Sequence, residues 1–120
     1  MNNSKYLREL IAVSTGDQIA DVLIKNIRLI NTFNGEIEET NIALYKDRIA
    51  GIGDYTQSKE EIDIDNDFIA PNFIDGHTHL ESSMLHPLGY TKAVIPKGIT
   101  TIVTDLHELA NVTGIEGIEF

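Results

Sequence analysis

The sequence predicts an α/β chain in two parts, a helix and antiparallel β domain over residues 1–70 and a strand–helix–strand unit over residues 71–120. Two observations support this prediction. Short runs rich in Ile, Leu and Val, separated by turn residues, occupy residues 18–70 and are typical of a sheet. From residue 68 onward, two nearly continuous apolar runs flank a segment with helical features, which is the pattern of a parallel α/β domain.

The first part is predicted to begin with a helix, because the apolar residues of segment 3–13 fall at helical spacing. Asn34-Gly35 is the strongest hairpin signal in the chain, since both residue types tolerate positive φ angles. Apolar and acidic residues alternate at 62–65, so we expect an antiparallel sheet with one face in water. The predicted strands cover residues 22–24, 27–32, 36–45, 48–52 and 62–65.

The second part is predicted to start with a strand over residues 68–74, whose nearly continuous apolar sequence is typical of burial on both faces. Pro87 favours the first turn of a following helix, and the β-branched residues of segment 99–104 predict a second buried strand. We expect residues 105–113 to form a loop. A complete (β/α)8 barrel takes about 250 residues, so we expect this unit to be the truncated start of such a barrel.

Composition and charge exclude several classes of function. Nine Lys and Arg residues against nineteen Asp and Glu residues give a formal net charge of −10, which disfavours binding to nucleic acid. The absence of cysteine excludes disulfides, zinc–thiolate sites and thiol nucleophiles. The apolar runs are too short to span a bilayer, and the polar amino terminus lacks a secretory signal. We therefore expect a cytoplasmic protein with no membrane partner.

Residues suited to metal chemistry concentrate in one stretch, because all four histidines lie between His77 and His107. His77 and His79 are two positions apart, and on a strand such side chains project from one face, about 7 Å apart along the backbone. Two such imidazoles can converge on one ion at the carboxyl end of a strand, where barrel enzymes build their active sites. Asp75 lies two positions before His77, so on the same strand its side chain would project from the same face and is placed to orient one of the rings. The alternative is a pair of partly buried imidazoles with a structural role.

The stretch from Ala70 to His79 resembles the first barrel strand of the amidohydrolase superfamily. These (β/α)8 enzymes hydrolyse amides, amidines and phosphoesters at a mononuclear or binuclear metal centre. The continuation from Leu80 to Leu85 and the stretch from Lys97 to Val112 narrow the resemblance to the adenine deaminase family. Hairpin segments before residue 70 are similar to the amino-terminal β-sandwich domain of those enzymes, so the resemblance covers nearly all 120 residues.

This resemblance implies hydrolytic deamination of adenine to hypoxanthine and ammonia, a reaction of purine salvage and adenine catabolism. It implies that His77 and His79 bind one metal of a binuclear centre, with Mn²⁺ or Fe²⁺ expected and Zn²⁺ also suitable. The acid–base carboxylates and remaining ligands are expected beyond residue 120, so the catalytic residues are unknown and the chain alone should be inactive. Seven residues are expected to contact the substrate or support the metal ligands: Asp75, Glu81, Ser82, Ser83, Asp105, His107 and Glu108.

Two alternative functions stay open, and so does homo-oligomerisation. A cyclic-amide hydrolase of the dihydroorotase or hydantoinase type would share the histidine pair, although the continuation from Glu81 to Met84 argues against it. A non-catalytic β module would use residues 18–70, but the following apolar strand would then stay unpaired. For Ser82 and Ser83 the alternative role is capping of the next helix. The alternative for the polar residues of segment 105–108 is that they are ordinary loop residues with no functional role.

Overall fold

The β-rich segment of the sequence folds as the first of two structural units, which divide between Pro71 and Asn72. The computed structural model describes residues 3–119. Within these residues every helix is too short or too polar to cross a membrane. The first unit contains one helix and five strands: α1 (Asn3–Ser14), β1 (Ala20–Ile30), β2 (Ile37–Tyr45), β3 (Arg48–Gly53), β4 (Ser58–Asp63) and β5 (Phe68–Ile69).

The sheet of the first unit has the strand order β3-β2-β1-β4, and β5 also pairs with β1. The predicted helix and the predicted hairpin at Asn34-Gly35 are confirmed, since α1 forms and β1 pairs antiparallel with β2. β2 also pairs antiparallel with β3. The prediction of a wholly antiparallel sheet is wrong, because β4 and β5 run parallel to β1. Side-chain alternation has the same period in both kinds of ladder, so it locates a strand without showing its direction.

Both faces of this sheet carry a hydrophobic core, so the expectation that one face lies in water is wrong at its centre. Ile42 and Ala43 are consecutive residues of β2 and therefore point to opposite faces; they are 5% and 0% exposed. One core cluster joins α1 to the sheet through Val13, Ala20, Ala43 and Tyr45. The other contains Ile27, Leu29 and Ile42, with Ile64 and Ile69 packed against it.

The second unit contains a strand–helix–strand element, as predicted. Its two strands, β6 and β7, pair in parallel on either side of α2 in the chain. A third helix, α3, occupies most of segment 105–113, where a loop was expected. The elements are β6 (Phe73–Asp75), α2 (Pro87–Val94), β7 (Ile99–Ile102) and α3 (His107–Thr113), with 3₁₀ turns at Glu81–Ser83, Ile95–Lys97 and Ile115–Gly117.

The apolar run at 68–74 forms two short strands instead of one. β5 pairs within the first unit and β6 within the second, and Pro71 lies between them without the N–H that a continuous ladder needs. Phe73 and Ile74 are each 67% exposed, so the prediction of burial on both faces is also wrong. Among residues 72–119, β7 is the one strand that pairs with β6, which leaves the apolar side chains of β6 partly uncovered.

Gly98 allows β7 to begin directly beside β6. Its carbonyl accepts a 2.8 Å hydrogen bond from the Phe73 N–H, and its φ of 86° lies in the left-handed region that favours glycine. A Cβ at this position would meet the Phe73 ring at 3.4 Å. The conformation and the close approach together explain why a glycine precedes β7.

We therefore expect Gly98→Ala to destabilise the strand pair by about 1–2 kcal/mol, the cost of a left-handed conformation for a residue with a Cβ. Hydrogen exchange of the Val103 amide, which donates to the Asp75 carbonyl, measures this change. Gly76→Ala is the matched control, because a Cβ there meets nothing within 4 Å and its φ lies outside the left-handed region. Equal protection of Val103 in the two variants would contradict this account.

Candidate metal centre

Parallel pairing of β6 and β7 brings their carboxyl-terminal continuations side by side. The register places Asp75 opposite Ile102. Two hydrogen bonds extend the pairing beyond the strands: the Val103 N–H donates to the Asp75 carbonyl, and the Thr78 N–H donates to the Val103 carbonyl, each at 2.9 Å. Side chains that follow the two strands therefore emerge at the same end of this small sheet.

Three of the four histidines meet at that end. The Nε2 atoms of His77 and His79 lie 3.0 Å apart, and their rings meet edge to face with centroids 4.7 Å apart. His107, the first residue of α3, makes the same kind of contact with His79, also at 4.7 Å. The two rings of the predicted pair converge as expected. The expectation that both residues lie on a strand is wrong, since β6 ends at Asp75 and the pair occupies the segment after it.

Asp105 lies between two of these imidazoles. Its Oδ1 is 3.2 Å from Nδ1 of His107 and 2.9 Å from Nδ1 of His79. The Asp105 carboxylate accepts a hydrogen bond from the His107 ring and so raises the pKa of His107, and the nearby carboxylates of Glu108 and Glu81 act in the same direction. The same bond lowers the pKa of Asp105. The His79 contact lacks hydrogen-bond geometry, which leaves its Nδ1 buried without a hydrogen-bond partner.

Glu81 connects the segment after β6 to the start of α3. Its Oε1 accepts a 3.1 Å hydrogen bond from the Glu108 N–H, and the Ser82 hydroxyl donates to Oε2 of Glu108 at 2.9 Å. The second carboxylate oxygen of Glu81, Oε2, is buried and has no hydrogen-bond partner. The first bond holds the Glu81 carboxylate, and both bonds tie the turn Glu81–Ser83 to the start of α3.

These donors fit a divalent metal ion. Two nitrogens bound to one ion at about 2.1 Å lie about 3.0 Å apart at a right angle and about 3.4 Å apart in a tetrahedron, and the His77–His79 separation falls at the lower value. One ligand atom each from His79, Glu81 and His107 also lie within 4.8 Å of one another. Imidazole nitrogens with a carboxylate oxygen are a common donor set for transition metals.

The remaining predicted residues have other contacts in the described chain. The Asp75 carboxylate accepts a hydrogen bond from the His77 backbone N–H at 3.2 Å, whereas the carboxylate beside the rings is Asp105. The Ser83 hydroxyl donates to the Leu80 carbonyl at 2.6 Å. Capping of α2 by Ser82 or Ser83 is a wrong prediction, because His86 caps that helix by accepting from the Leu88 N–H.

Thr104 is a further polar residue at this end of the sheet, and the sequence does not single it out. Its hydroxyl oxygen is buried with no hydrogen-bond partner, and it lies two residues beyond β7, at the end where the histidines meet. Its place at the end of a β-branched run gave no chemical signal, because threonine is common in strands for steric reasons.

The chain is similar to known proteins both in sequence and in structure. No family model matches the chain. It is 56% identical over 113 residues to an adenine deaminase of Thermosipho africanus, covering 93% of the chain and 20% of the relative. It is 50% identical over 120 residues to an adenine deaminase of Listeria welshimeri, covering 100% of the chain and 21% of the relative. The chain is homologous to the adenine deaminases. This homologue spans about a fifth of the length of the curated relatives it matches.

Solved structures similar to this adenine deaminase homologue are amidohydrolases. A D-aminoacylase mutant in complex with CuCl2 matches with a TM-score of 0.62 and 28% identity, over 72% of the chain and 18% of the enzyme. N-acyl-D-glutamate deacylase of Bordetella bronchiseptica, complexed with zinc and a phosphonate inhibitor, matches with a TM-score of 0.54 and 25% identity. The match covers 72% of the chain and 19% of that enzyme. L-hydantoinase of Arthrobacter aurescens matches with a TM-score of 0.57 and 25% identity, over 72% of the chain and 20% of that enzyme.

In the metal-free chain, Asp105→Asn should lower the pKa of His107 toward the ordinary imidazole value of about 6.5. The ionised carboxylate accepts a hydrogen bond from the ring and stabilises its protonated form, whereas a neutral amide lacks the charge. An NMR titration of the His107 ring protons measures the change. Asp17→Asn removes a carboxylate from the first unit and serves as the control. A His107 pKa that is equal in both variants would contradict the contact.

Proposed function

We propose that this chain supplies the metal-binding amino-terminal part of an adenine deaminase, which converts adenine and water to hypoxanthine and ammonia. One observation carries the proposal. The sequence identity of about half to adenine deaminases extends over 120 residues, and these include the segment in which three histidines converge beside Asp105. Similarity that was confined to the β domain would support the fold and leave the chemistry open.

In this proposal His77 and His79 bind one divalent ion through the nitrogens that converge in the structure. A bound metal ion lowers the pKa of water toward about 7, which provides the nucleophile for hydrolysis at neutral pH. Asp105 orients His107 by accepting a hydrogen bond from its Nδ1, the usual arrangement of a carboxylate behind a metal-site histidine. Structural neighbours with copper and zinc support a divalent ion; Mn²⁺ or Fe²⁺ is our proposal for this chain, in a binuclear centre.

We further propose that residues 71–120 begin a (β/α)8 barrel and that residues 1–70 form part of a β-sandwich domain. The parallel β6–β7 pair and its exposed apolar residues support the first assignment, since further barrel strands would cover such residues. The acid–base carboxylates and the other ligands would then come from those strands. The acidic, cysteine-free composition fits a cytoplasmic enzyme.

A cyclic-amide hydrolase is the second candidate function, and the match to L-hydantoinase favours it. The adenine deaminases match with about twice the sequence identity and cover the whole chain. Assays of the full-length enzyme with adenine, hydantoin and dihydroorotate as substrates separate the two functions.

The proposal predicts the behaviour of a hybrid enzyme in which this chain replaces the matching residues of the Listeria welshimeri adenine deaminase. The hybrid should deaminate adenine, and His77→Ala should reduce kcat/KM by more than about 100-fold, beyond the usual effect of losing an outer-sphere partner. Bound metal should fall in parallel. His86→Ala is the matched control, because this histidine caps α2 and lies outside the cluster. Near-normal turnover with unchanged metal content in the His77→Ala hybrid would refute the ligand assignment.

The isolated 120-residue chain should not convert adenine to hypoxanthine. A catalytic zinc-type site uses three protein ligands and an open position, and a binuclear centre needs further ligands and bridging groups. Chromatography of adenine incubated with the chain and Mn²⁺ measures the product. Conversion above that of a His77→Ala chain would show that these residues complete an active site among themselves.

A further inference from the structure

The tip of the first hairpin carries a side-chain amide that the proposed function does not use. Asn34 and Gly35 lie between β1 and β2, beyond the Ile30–Ile37 pair that ends the ladder, and both residues are exposed. Of the nine asparagines in the sequence, Asn34 is the one that glycine follows. A backbone nitrogen attacks the preceding asparagine amide most readily in this dipeptide, because glycine has no side chain to obstruct the approach.

Polar contacts at the surface hold the Asn34 side chain. Its Oδ1 accepts a 2.9 Å hydrogen bond from the Glu36 N–H, which polarises the amide C=O and makes its carbon more electrophilic. Its Nδ2 donates to the Glu36 carboxylate at 3.0 Å and to the Glu38 carboxylate at 3.4 Å. The Gly35 N–H donates to the Asn31 carbonyl at 2.8 Å, so attack by this nitrogen requires that bond to open.

Few apolar contacts oppose the opening of this hairpin end. The Phe33 side chain is fully exposed, and the side chains of Ile37 and Ile30 are 59% and 38% exposed. A Cβ at Gly35 would meet nothing within 4 Å, so no neighbouring group packs against the turn there. Segments with little buried apolar surface and exposed backbone hydrogen bonds open at a low cost in free energy. The Gly35 nitrogen can therefore be released while the rest of the sheet stays folded.

We propose that Asn34 is a site of spontaneous deamidation, through a succinimide that it forms with Gly35. The Gly35 nitrogen bonds to Cγ of Asn34 and loses its proton to water. The Cγ–Nδ2 bond breaks, and the amine takes up a proton from water and leaves as ammonia. A water molecule then opens the ring at either carbonyl, which gives aspartate or isoaspartate at position 34. Water is the co-reactant throughout.

The reaction changes the charge and the backbone of the hairpin tip. The amide that donates to Glu36 and Glu38 becomes a carboxylate, so three like charges then lie together in an already acidic chain. Isoaspartate also lengthens the backbone between positions 34 and 35. Both changes weaken the bond from the Asn31 N–H to the Glu36 carbonyl, which closes the hairpin at 2.9 Å. Deamidation therefore opens the tip of the β1–β2 hairpin irreversibly.

Peptide mapping of the 120-residue chain by mass spectrometry, during incubation in mildly alkaline buffer, tests the site. Asn34 should convert to aspartate and isoaspartate more than about tenfold faster than Asn66 and Asn111, because the bulkier residues after those two hinder the intramolecular attack. Both control asparagines are exposed and lie in the same molecule, so the comparison does not depend on how a variant folds. Equal rates at the three positions would overturn the proposal.

A second measurement follows the hairpin itself. Hydrogen exchange of the Asn31 amide should be several-fold faster in the aged chain than in the fresh chain, because the bond that closes the hairpin is weakened. Asn34→Asp should also accelerate this exchange, and by more than Asn34→Ser, the matched control that removes the amide without adding a charge. Unchanged exchange of the Asn31 amide in the aged chain would overturn the proposed opening. Neither readout involves adenine, so failure here is distinct from failure of the proposed function.

Discussion

The parallel contact between β6 and β7 is the constraint on which the candidate site depends. The His77–His79 segment and His107 are about 30 positions apart in the sequence, and the pairing of Asp75 with Ile102 brings the two segments to one end of the sheet. Two further backbone hydrogen bonds carry this alignment past the strand ends. Any slip in register would separate these histidines, since a shift of one residue reverses the side-chain direction.

His79 occupies the centre of the site, because it contacts two other imidazoles, one on each side. Its Nε2 faces His77 and its ring meets that of His107. In the absence of an ion, the two facing imidazole nitrogens form a hydrogen bond in which one ring donates to the other. A metal ion between them would replace the shared proton and accept both lone pairs. Nearby carboxylates, Asp105 and Glu81, supply negative charge that favours a cation at the same place.

The sequence predicted the strands and the histidine pair of the site better than it predicted how these parts are arranged. Apolar runs and β-branched residues located β6 and β7, and the spacing of His77 and His79 indicated convergent rings. The end of β6 at Asp75 could not be predicted, because strand length depends on a neighbouring strand distant in sequence. The helix α3 was also missed: it starts after Leu106 in a left-handed conformation with a φ of 45°, which local propensity disfavours.

Other features escaped prediction because tertiary contacts determine them. Nothing in the local sequence shows that Glu81 accepts from the Glu108 N–H, since 27 positions separate the two residues. The direction of β4 and β5 was also missed, because a strand's own sequence pattern does not include its neighbour. The composition still excluded thiolate ligands correctly, since the chain has no cysteine. The remaining donors for a transition metal are imidazole and carboxylate, and these are the groups that the structure brings together.

X-ray absorption of the chain loaded with one equivalent of Co²⁺ tests the metal assignment most directly. We predict scattering from imidazole rings around the ion, and a reduced imidazole contribution in a His79→Ala chain, because His79 is one of the two proposed ligands. A shell of oxygen ligands alone, unchanged by His79→Ala, would contradict the assignment. It would show that the ion binds to surface carboxylates of this acidic chain and that the histidine cluster has another role.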